Sequence, residues 1–226
     1  MLKLYYHPSP NPAKVALYLE EAAIPYEFVP VDTRKGEQLQ APFLAINPNG
    51  KTPAIDDDGV KVFDSTAILM YLGEKSGKFM PKPEQKGAYL SWMLFIASGI
   101  GPYSGQAVHF KHHAADKLPY AINRYQYEAE RHWSIIETQL TKNKYMLGDT
   151  YSIVDMNLWG WMRAAAYALG PDAFGKLANV KRLFDEINAR PAAAAVNALK
   201  DKHAFKAEMD EAARNHYFGH LTKQVA

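Results

Sequence analysis

Strand-like alternation over residues 3–6 stops at His7-Pro8-Ser9-Pro10-Asn11-Pro12. Three prolines in five residues can neither extend a strand nor sit inside a helix. Asn11-Pro12 has the form of a helix start, with Asn as N-cap and Pro at the first helical position. Val15, Leu19 and Ala22 then recur at helical spacing and predict a helix over residues 12–23, which Ile24-Pro25 ends. A second strand is expected over 26–31, an irregular helical segment over 36–46 and a turn at Asn47-Pro48-Asn49-Gly50. Short apolar runs at 52–55 and 60–63 flank Asp58-Gly59, a hairpin signature. Ser65 is placed as the cap of a helix over 66–75, with Ile68, Tyr71 and Leu72 on one face. The order βαβ, irregular helix, ββα describes a mixed α/β sheet with helices packed on it.

From about residue 84 the alternation disappears. Helical periodicity predicts segments at 84–112, 120–142, 153–169, 177–188 and 192–200, an all-α helical bundle. The expected division is a first domain over 1–77, a Pro-, Lys- and Gly-rich linker over 78–87 and a helical domain over 88–226. Ser152-Ile153-Val154-Asp155 has the spacing of a capping box, with Asp in place of the usual Glu. Trp159, Trp161 and Tyr167 read as core.

Composition narrows the function. Hydrophobic residues make up 48% of the 226, enough for a core, and the formal net charge of +2 is too small to favour nucleic acid or an anionic membrane. The greasiest stretch, 88–103, is interrupted by Ser91, Ser98, Gly99, Gly101 and Pro102 and reads as a buried helix, not a membrane span. No signal-peptide pattern is seen, so a cytoplasmic location is expected. There is no cysteine. Structural disulfides, CxxC pairs, thiolate zinc sites and cysteine nucleophiles are excluded, and any thiol chemistry needs a ligand that brings the sulfur. His109, His112 and His113 have helical spacing that could face a metal. Neither cysteine nor a nearby carboxylate motif supports one, and no metal is expected.

Three stretches in order carry a resemblance: Asn47-Pro48-Asn49-Gly50-Lys51-Thr52-Pro53-Ala54-Ile55, Phe63-Asp64-Ser65-Thr66-Ala67-Ile68, and Ser152–Asp155 after Leu147-Gly148. Over essentially its whole length the chain resembles the cytosolic glutathione transferases. It looks most like their bacterial Nu class, on Pro8-Ser9-Pro10-Asn11, Lys35-Gly36-Glu37-Gln38, Gly101-Pro102-Tyr103-Ser104-Gly105-Gln106 and Pro119-Tyr120-Ala121-Ile122 leading to Arg124-Tyr125-Gln126. Two departures are visible: Ser9 stands where that class more often has Thr, and Pro12 where it has Gly. The resemblance implies a thioredoxin-like N-terminal domain, an all-helical C-terminal domain, a homodimer, and glutathione as co-substrate for conjugation of electrophiles or reduction of disulfides. The rival reading is a non-enzymatic ligand carrier or assembly protein on the same fold.

The same resemblance implies the site. Pro53 is expected cis, with the Thr52 backbone pairing with the cysteinyl unit of glutathione. Asp64 and Ser65 would take the γ-glutamyl ammonium and carboxylate at a helix N-terminus, and Gln38 and Lys51 the glycyl end. Ser9 and Asn11 would stabilise the thiolate. A drop of two pKa units there needs roughly 2.7 kcal/mol, which a hydroxyl, an amide N–H and the helix dipole supply together. Asn11 as a plain N-cap remains open, and Tyr5 and Tyr6 are rival donors whose place in a strand favours packing. Gln106, His109 and Phe110 would line the second-substrate pocket. Arg131 would help hold a second glutathione, or form a surface salt bridge.

Overall fold

The computed structural model describes residues 1–221. Strand β1 (Leu2–Tyr6) buries Leu2, Leu4 and Tyr6 on one face, the alternation a strand covered on that side requires. Helix α1 (Pro10–Glu21) follows, then β2 (Glu27–Pro30), 3-10 turns at Thr33–Lys35 and Glu37–Leu39, and the single-turn α2 (Ala41–Leu44). Strands β3 (Ala54–Asp57) and β4 (Val60–Phe63) and helix α3 (Ser65–Ser76) complete this half. The sheet order is β2-β1-β3-β4, with β1 parallel to β2, β3 antiparallel to β1 and β4 antiparallel to β3. This is the thioredoxin-like arrangement. The Thr52–Pro53 peptide is cis. β3 begins after it, two residues later than expected, because Pro53 has no N–H for the ladder.

The other half is helical: α4 (Lys86–Phe95), α5 (Gly101–Val108), α6 (Pro119–Lys142), α7 (Ile153–Met162), α8 (Ala165–Leu169), α9 (Ala178–Asn188), α10 (Pro191–Ala198) and α11 (Glu211–Phe218). Several expectations are corrected. The single helix expected over 84–112 is α4 and α5 joined by a π turn at Ile96–Ile100 and followed by another at His109–His113. Pro102 has no N–H for the carbonyl four residues back, and the ladder widens by one residue just ahead of it. The helix expected over 153–169 breaks into α7 and α8, where Ala164 N–H donates to the nearer Trp161 carbonyl at 3.0 Å. α11 was not anticipated; Asp210 caps it, accepting from Ala213 N–H at 2.9 Å.

Both expected caps in the first half also move. α1 starts at Pro10 with Ser9 at the N-cap, so Asn11 is the second helical residue. First-turn N–H groups have no partner within a helix, which is why Pro10 and Pro12 are tolerated. On α3 the cap is Asp64, not Ser65: its Oδ1 accepts from Thr66 N–H at 2.9 Å and Ala67 N–H at 3.1 Å. A carboxylate there also suits the positive end of the helix dipole.

α1 lies between the sheet and α7, and residues 12–19 are all buried. A helix covered on every side loses its polar face, and each large aliphatic side chain buried in this way contributes roughly 1.5–3 kcal/mol. Gly160 permits the contact with α7, since a methyl group on it would lie 2.4 Å from the Pro10 carbonyl oxygen.

The capping box anchors α7. Asp155 Oδ2 accepts from Ser152 N–H at 2.8 Å and from the Ser152 hydroxyl at 2.9 Å, while Oδ1 accepts from Met146 N–H at 2.8 Å. Asp155→Ala strands these buried donors, so we expect a loss of about 2–4 kcal/mol. At roughly 2–4 °C per kcal/mol for a chain of this size, a calorimetric Tm lowered by about 5–15 °C is the outcome to check.

Candidate active site

Two cavities open in the cleft between the sheet domain and the helices. The larger, ≈ 1010 Å³, brings Asn11, Lys51, Asp64 and Ser65 together with Gln106, His109 and Phe110. The smaller, ≈ 790 Å³, holds Ser9, Gln38, Lys51 and Thr52. Asn49, Lys51 and Tyr217 line both. The residues singled out in the sequence therefore converge on one cleft but divide between two chambers, with the Lys51 side chain common to each. Pro53 is buried behind Thr52 and lines neither chamber.

Arg131 is not brought there. It lies on α6, outside both cavities, where its Nε donates to Glu128 Oε2 at 2.9 Å. That ion pair is the surface salt bridge given above as its other reading. Tyr5 and Tyr6 also stay out of the cavities. Tyr6 is buried in the core and Tyr5 packs edge-on against Phe43.

Trp161, expected in the core, is half-buried in the cavity wall. Its indole N–H donates to Asn11 Oδ1 at 3.1 Å. An indole nitrogen can only donate, so the amide oxygen of Asn11 must face it and the NH₂ is left for the cavity. This link orients Asn11 as a donor. Ser9 is only loosely held, its hydroxyl reaching the His7 carbonyl at 3.4 Å. The Ser65 hydroxyl has no hydrogen-bond partner among the described residues. Asp64 spends Oδ1 on capping and keeps Oδ2 for a cation.

Tyr217 and Phe218, at the end of α11, were missed because no element was expected beyond residue 200. They reach the cleft because the segment before them docks on the loop after β2. Asp32 Oδ2 accepts from Lys206 N–H at 2.8 Å, Arg34 Nη1 donates to the Lys206 carbonyl at 3.0 Å, and the Thr33 and Tyr217 hydroxyls bond. Phe218 contacts the rings of His109 and His113 at 5.0 and 5.6 Å. Burial lowers the pKa of both imidazoles and that of His7, which lines the smaller chamber. His112 stacks on Tyr167 at 4.3 Å, and Tyr167 is half exposed, not core. The three histidines are thus engaged with aromatic rings, and no group of three or more His, Asp or Glu among the described residues could hold a metal ion.

Residues 1–74 match the glutathione S-transferase N-terminal domain and residues 109–191 the glutathione S-transferase C-terminal domain. The chain belongs to the glutathione S-transferase family. It is similar to the disulfide-bond oxidoreductase YfcG of Escherichia coli, with 41% identity over 172 residues, 73% of this chain and 80% of YfcG. Among solved structures, this transferase resembles URE2P6 from Phanerochaete chrysosporium in complex with oxidized glutathione. The TM-score is 0.82 at 32% identity, covering 89% of this chain and 96% of that one. A glutathione transferase from Burkholderia graminis, with two glutathione molecules bound per subunit, matches with a TM-score of 0.81 at 33% identity over 89% of each chain.

In this transferase the Trp161 bond to Asn11 is testable. Trp161→Phe keeps an aromatic wall and removes the one N–H. We expect kcat/KM for glutathione to fall about fivefold, the worth of a hydrogen bond near 1 kcal/mol, with thermal stability little changed. Steady-state kinetics beside a melting curve on the same sample checks this.

Proposed function

We propose that this chain is a glutathione-dependent disulfide-bond oxidoreductase of the Nu type. The observation that carries this reading is a chain without cysteine whose cleft, made of two adjoining chambers, has room for more than one small ligand. YfcG and the two-glutathione transferase point the same way. Both thiols of the exchange must then come from glutathione. A first glutathione thiolate attacks the substrate disulfide, forming a mixed disulfide and releasing one substrate thiolate. A second glutathione thiolate attacks the glutathione sulfur of the mixed disulfide, yielding oxidized glutathione and the second substrate thiolate. Each released thiolate takes a proton from water.

The chain's part is to bind and polarise. The Ser9 hydroxyl and the Asn11 NH₂ donate to the attacking sulfur at the positive end of α1, lowering its pKa. Asp64 Oδ2 takes the γ-glutamyl ammonium, and the Ser65 hydroxyl donates to the α-carboxylate. Gln38, whose buried Oε1 has no partner among the described residues, meets the amide N–H groups of the tripeptide. Lys51 offsets carboxylate charge in both chambers, and Thr52 beside Pro53 offers its backbone to the cysteinyl unit. Arg131 was assigned to a second glutathione; its pairing with Glu128 within one protomer leaves Lys51 as the cation of choice.

Conjugation is a second activity of the same thiolate. The wall made by Phe110, Trp161 and Phe218 suits an apolar electrophile next to the sulfur, and Gln106 and His109 bound the same space.

We further read residues 1–77 as the glutathione-binding unit and 88–226 as the unit holding the second substrate, joined by 78–87. The protein is a cytoplasmic homodimer on this reading. Leu94 on α4 and Tyr120 and Tyr127 on α6 are 56%, 84% and 62% exposed, apolar surface that a second copy would cover. Among the described residues, no helix is long and apolar enough to cross a membrane. Sedimentation at micromolar concentration should give twice the chain mass; a monomer removes the dimer from the proposal.

The function itself is tested by treating the protein with a thiol alkylator, removing the reagent, and assaying with fresh glutathione. Full retention of disulfide reduction is expected, together with two glutathione molecules per subunit in a co-crystal. Turnover of aryl halides without any disulfide substrate would leave conjugation as the activity. Binding without either turnover would leave a ligand carrier.

A further inference from the structure

Lys14 takes no part in the chemistry above, yet it is among the most buried groups in the molecule, with 1% of its surface exposed. It lies one turn after Asn11 on α1 and lines the larger cavity beside Asp64, Ser65 and Thr66. Its Nζ donates to Asn157 Oδ1 at 2.8 Å, and the Thr66 hydroxyl donates to the same oxygen at 3.3 Å. Asn157 is the only hydrogen-bond partner of Nζ among the described residues. An ammonium has three donors, so two are without a protein partner among the described residues at a buried position, where an unpaired charge is costly.

The surrounding ionisable groups give it little help. On α3, Asp64 is the charge that favours protonated Lys14; Tyr71 and Lys75 are engaged with Asp57. On α7, Asp155 is held by Ser152 and the Met146 N–H, and Arg163 lies over the Trp159 ring. Next to α10, Arg190 pairs with Glu21 of α1 itself. On β1, Tyr6 is buried, and burial outweighs the pull of Arg163 and raises its pKa. Tyr18, further along α1, bonds Ser76. Burial therefore pulls the Lys14 pKa down to about 7 against the pull of Asp64.

We propose that Lys14 is a positioning residue that takes up a proton when the γ-glutamyl carboxylate of glutathione docks at the N-terminus of α3, making ligand binding and protonation of this buried lysine one coupled event. The proposal deepens the glutathione reading and rests on it. The γ-glutamyl end brings its carboxylate to Ser65, in the space that Lys14 shares with Thr66, and its ammonium to Asp64 Oδ2, so the coupling requires the carboxylate to sit nearer Lys14 than the ammonium does. The charged form of Lys14 is then favoured and its pKa rises. The protonated ammonium holds Asn157 and, through it, Thr66, fixing the first turn of α3 in its ligand-bound position.

The sign follows from linkage. The free protein carries the proton below about pH 7, and the complex keeps it to higher pH. Affinity is full below pH 7 and falls by about tenfold per pH unit as pH rises from 7 towards the pKa of the complex. The thiol has the opposite trend, so the probe must lack one.

The experiment is calorimetry with S-methylglutathione, whose sulfur cannot ionise, in phosphate and in Tris at pH 7.5. The expected result is binding with an uptake of about 0.7 proton per site, read from the difference in heat between the buffers. Folded Lys14→Met should bind with no uptake and with an affinity flat in pH. Should that variant fail to fold, the wild type decides: with ¹³C-labelled lysine, the Lys14 Cε resonance should titrate near pH 7 free and above about pH 8.5 with S-methylglutathione. Binding without uptake, uptake that persists in folded Lys14→Met, or a Lys14 titration unmoved by ligand each overturns the coupling and leaves the glutathione site standing. Absence of binding overturns the glutathione site and the coupling with it.

Discussion

The backbone of α1 meets α7 at Gly160, where any side chain would strike the Pro10 carbonyl. The rest of the cleft depends on this contact. It brings Trp161 within hydrogen-bond reach of Asn11 and Asn157 within reach of both Lys14 and Thr66. The first turns of α1 and α3 are thereby tied to one helix of the other domain. Two helix N-termini, each with donors aimed at the cleft, are held in fixed relation by three side-chain hydrogen bonds and one missing methyl group. The capping box of α7 matters for the same reason, since it sets where that helix begins.

Much of this was legible in the chain. Alternation in β1, the Asp58-Gly59 hairpin and the periodicity of the helical half gave the architecture. Most of the candidate residues singled out in and around the stretches at Pro53 and Asp64 line one cleft. What escaped has physical causes. α1 is covered on all sides, so its periodicity does not distinguish a cavity-facing Lys14 from a solvated one. Trp161 is apolar in bulk and polar at one atom, and only the position of Asn11 makes that atom matter. Asp64 rather than Ser65 caps α3 because a carboxylate one residue earlier reaches both N–H groups, a choice that spacing leaves open. α11 follows an irregular stretch and is held by contacts some 170 to 185 residues distant in sequence, such as Asp32 with Lys206 and Thr33 with Tyr217. No local pattern reports these. Arg131 is the converse case, a residue singled out by motif that its own helix ties to Glu128.

The electrostatic character of the cleft is one of incomplete compensation. Lys14 has one hydrogen-bond partner among the described residues, Gln38 Oε1 none and the Ser65 hydroxyl none, while Asp64 keeps one oxygen uncommitted. Of these Gln38 Oε1 is fully buried, where a folded protein usually supplies a partner, while Asp64 is exposed to solvent. A ligand with an ammonium, two carboxylates and amides offers a partner to each of them. Pre-positioned polar groups of this kind need little reorganisation when the ligand arrives.

Lys51 lines both chambers, and on the glutathione reading this has a bearing on supply. Two anionic tripeptides must share one flexible cation, so whichever arrives first takes most of its field and the second binds more weakly. Once the first site is full, the doubly filled state keeps growing in proportion to glutathione, up to concentrations well above those that fill the first. Turnover would be slow in a depleted pool and quick in a replete one, with the protein itself unchanged. Such a catalyst would draw on the reductant chiefly when the reductant is in surplus.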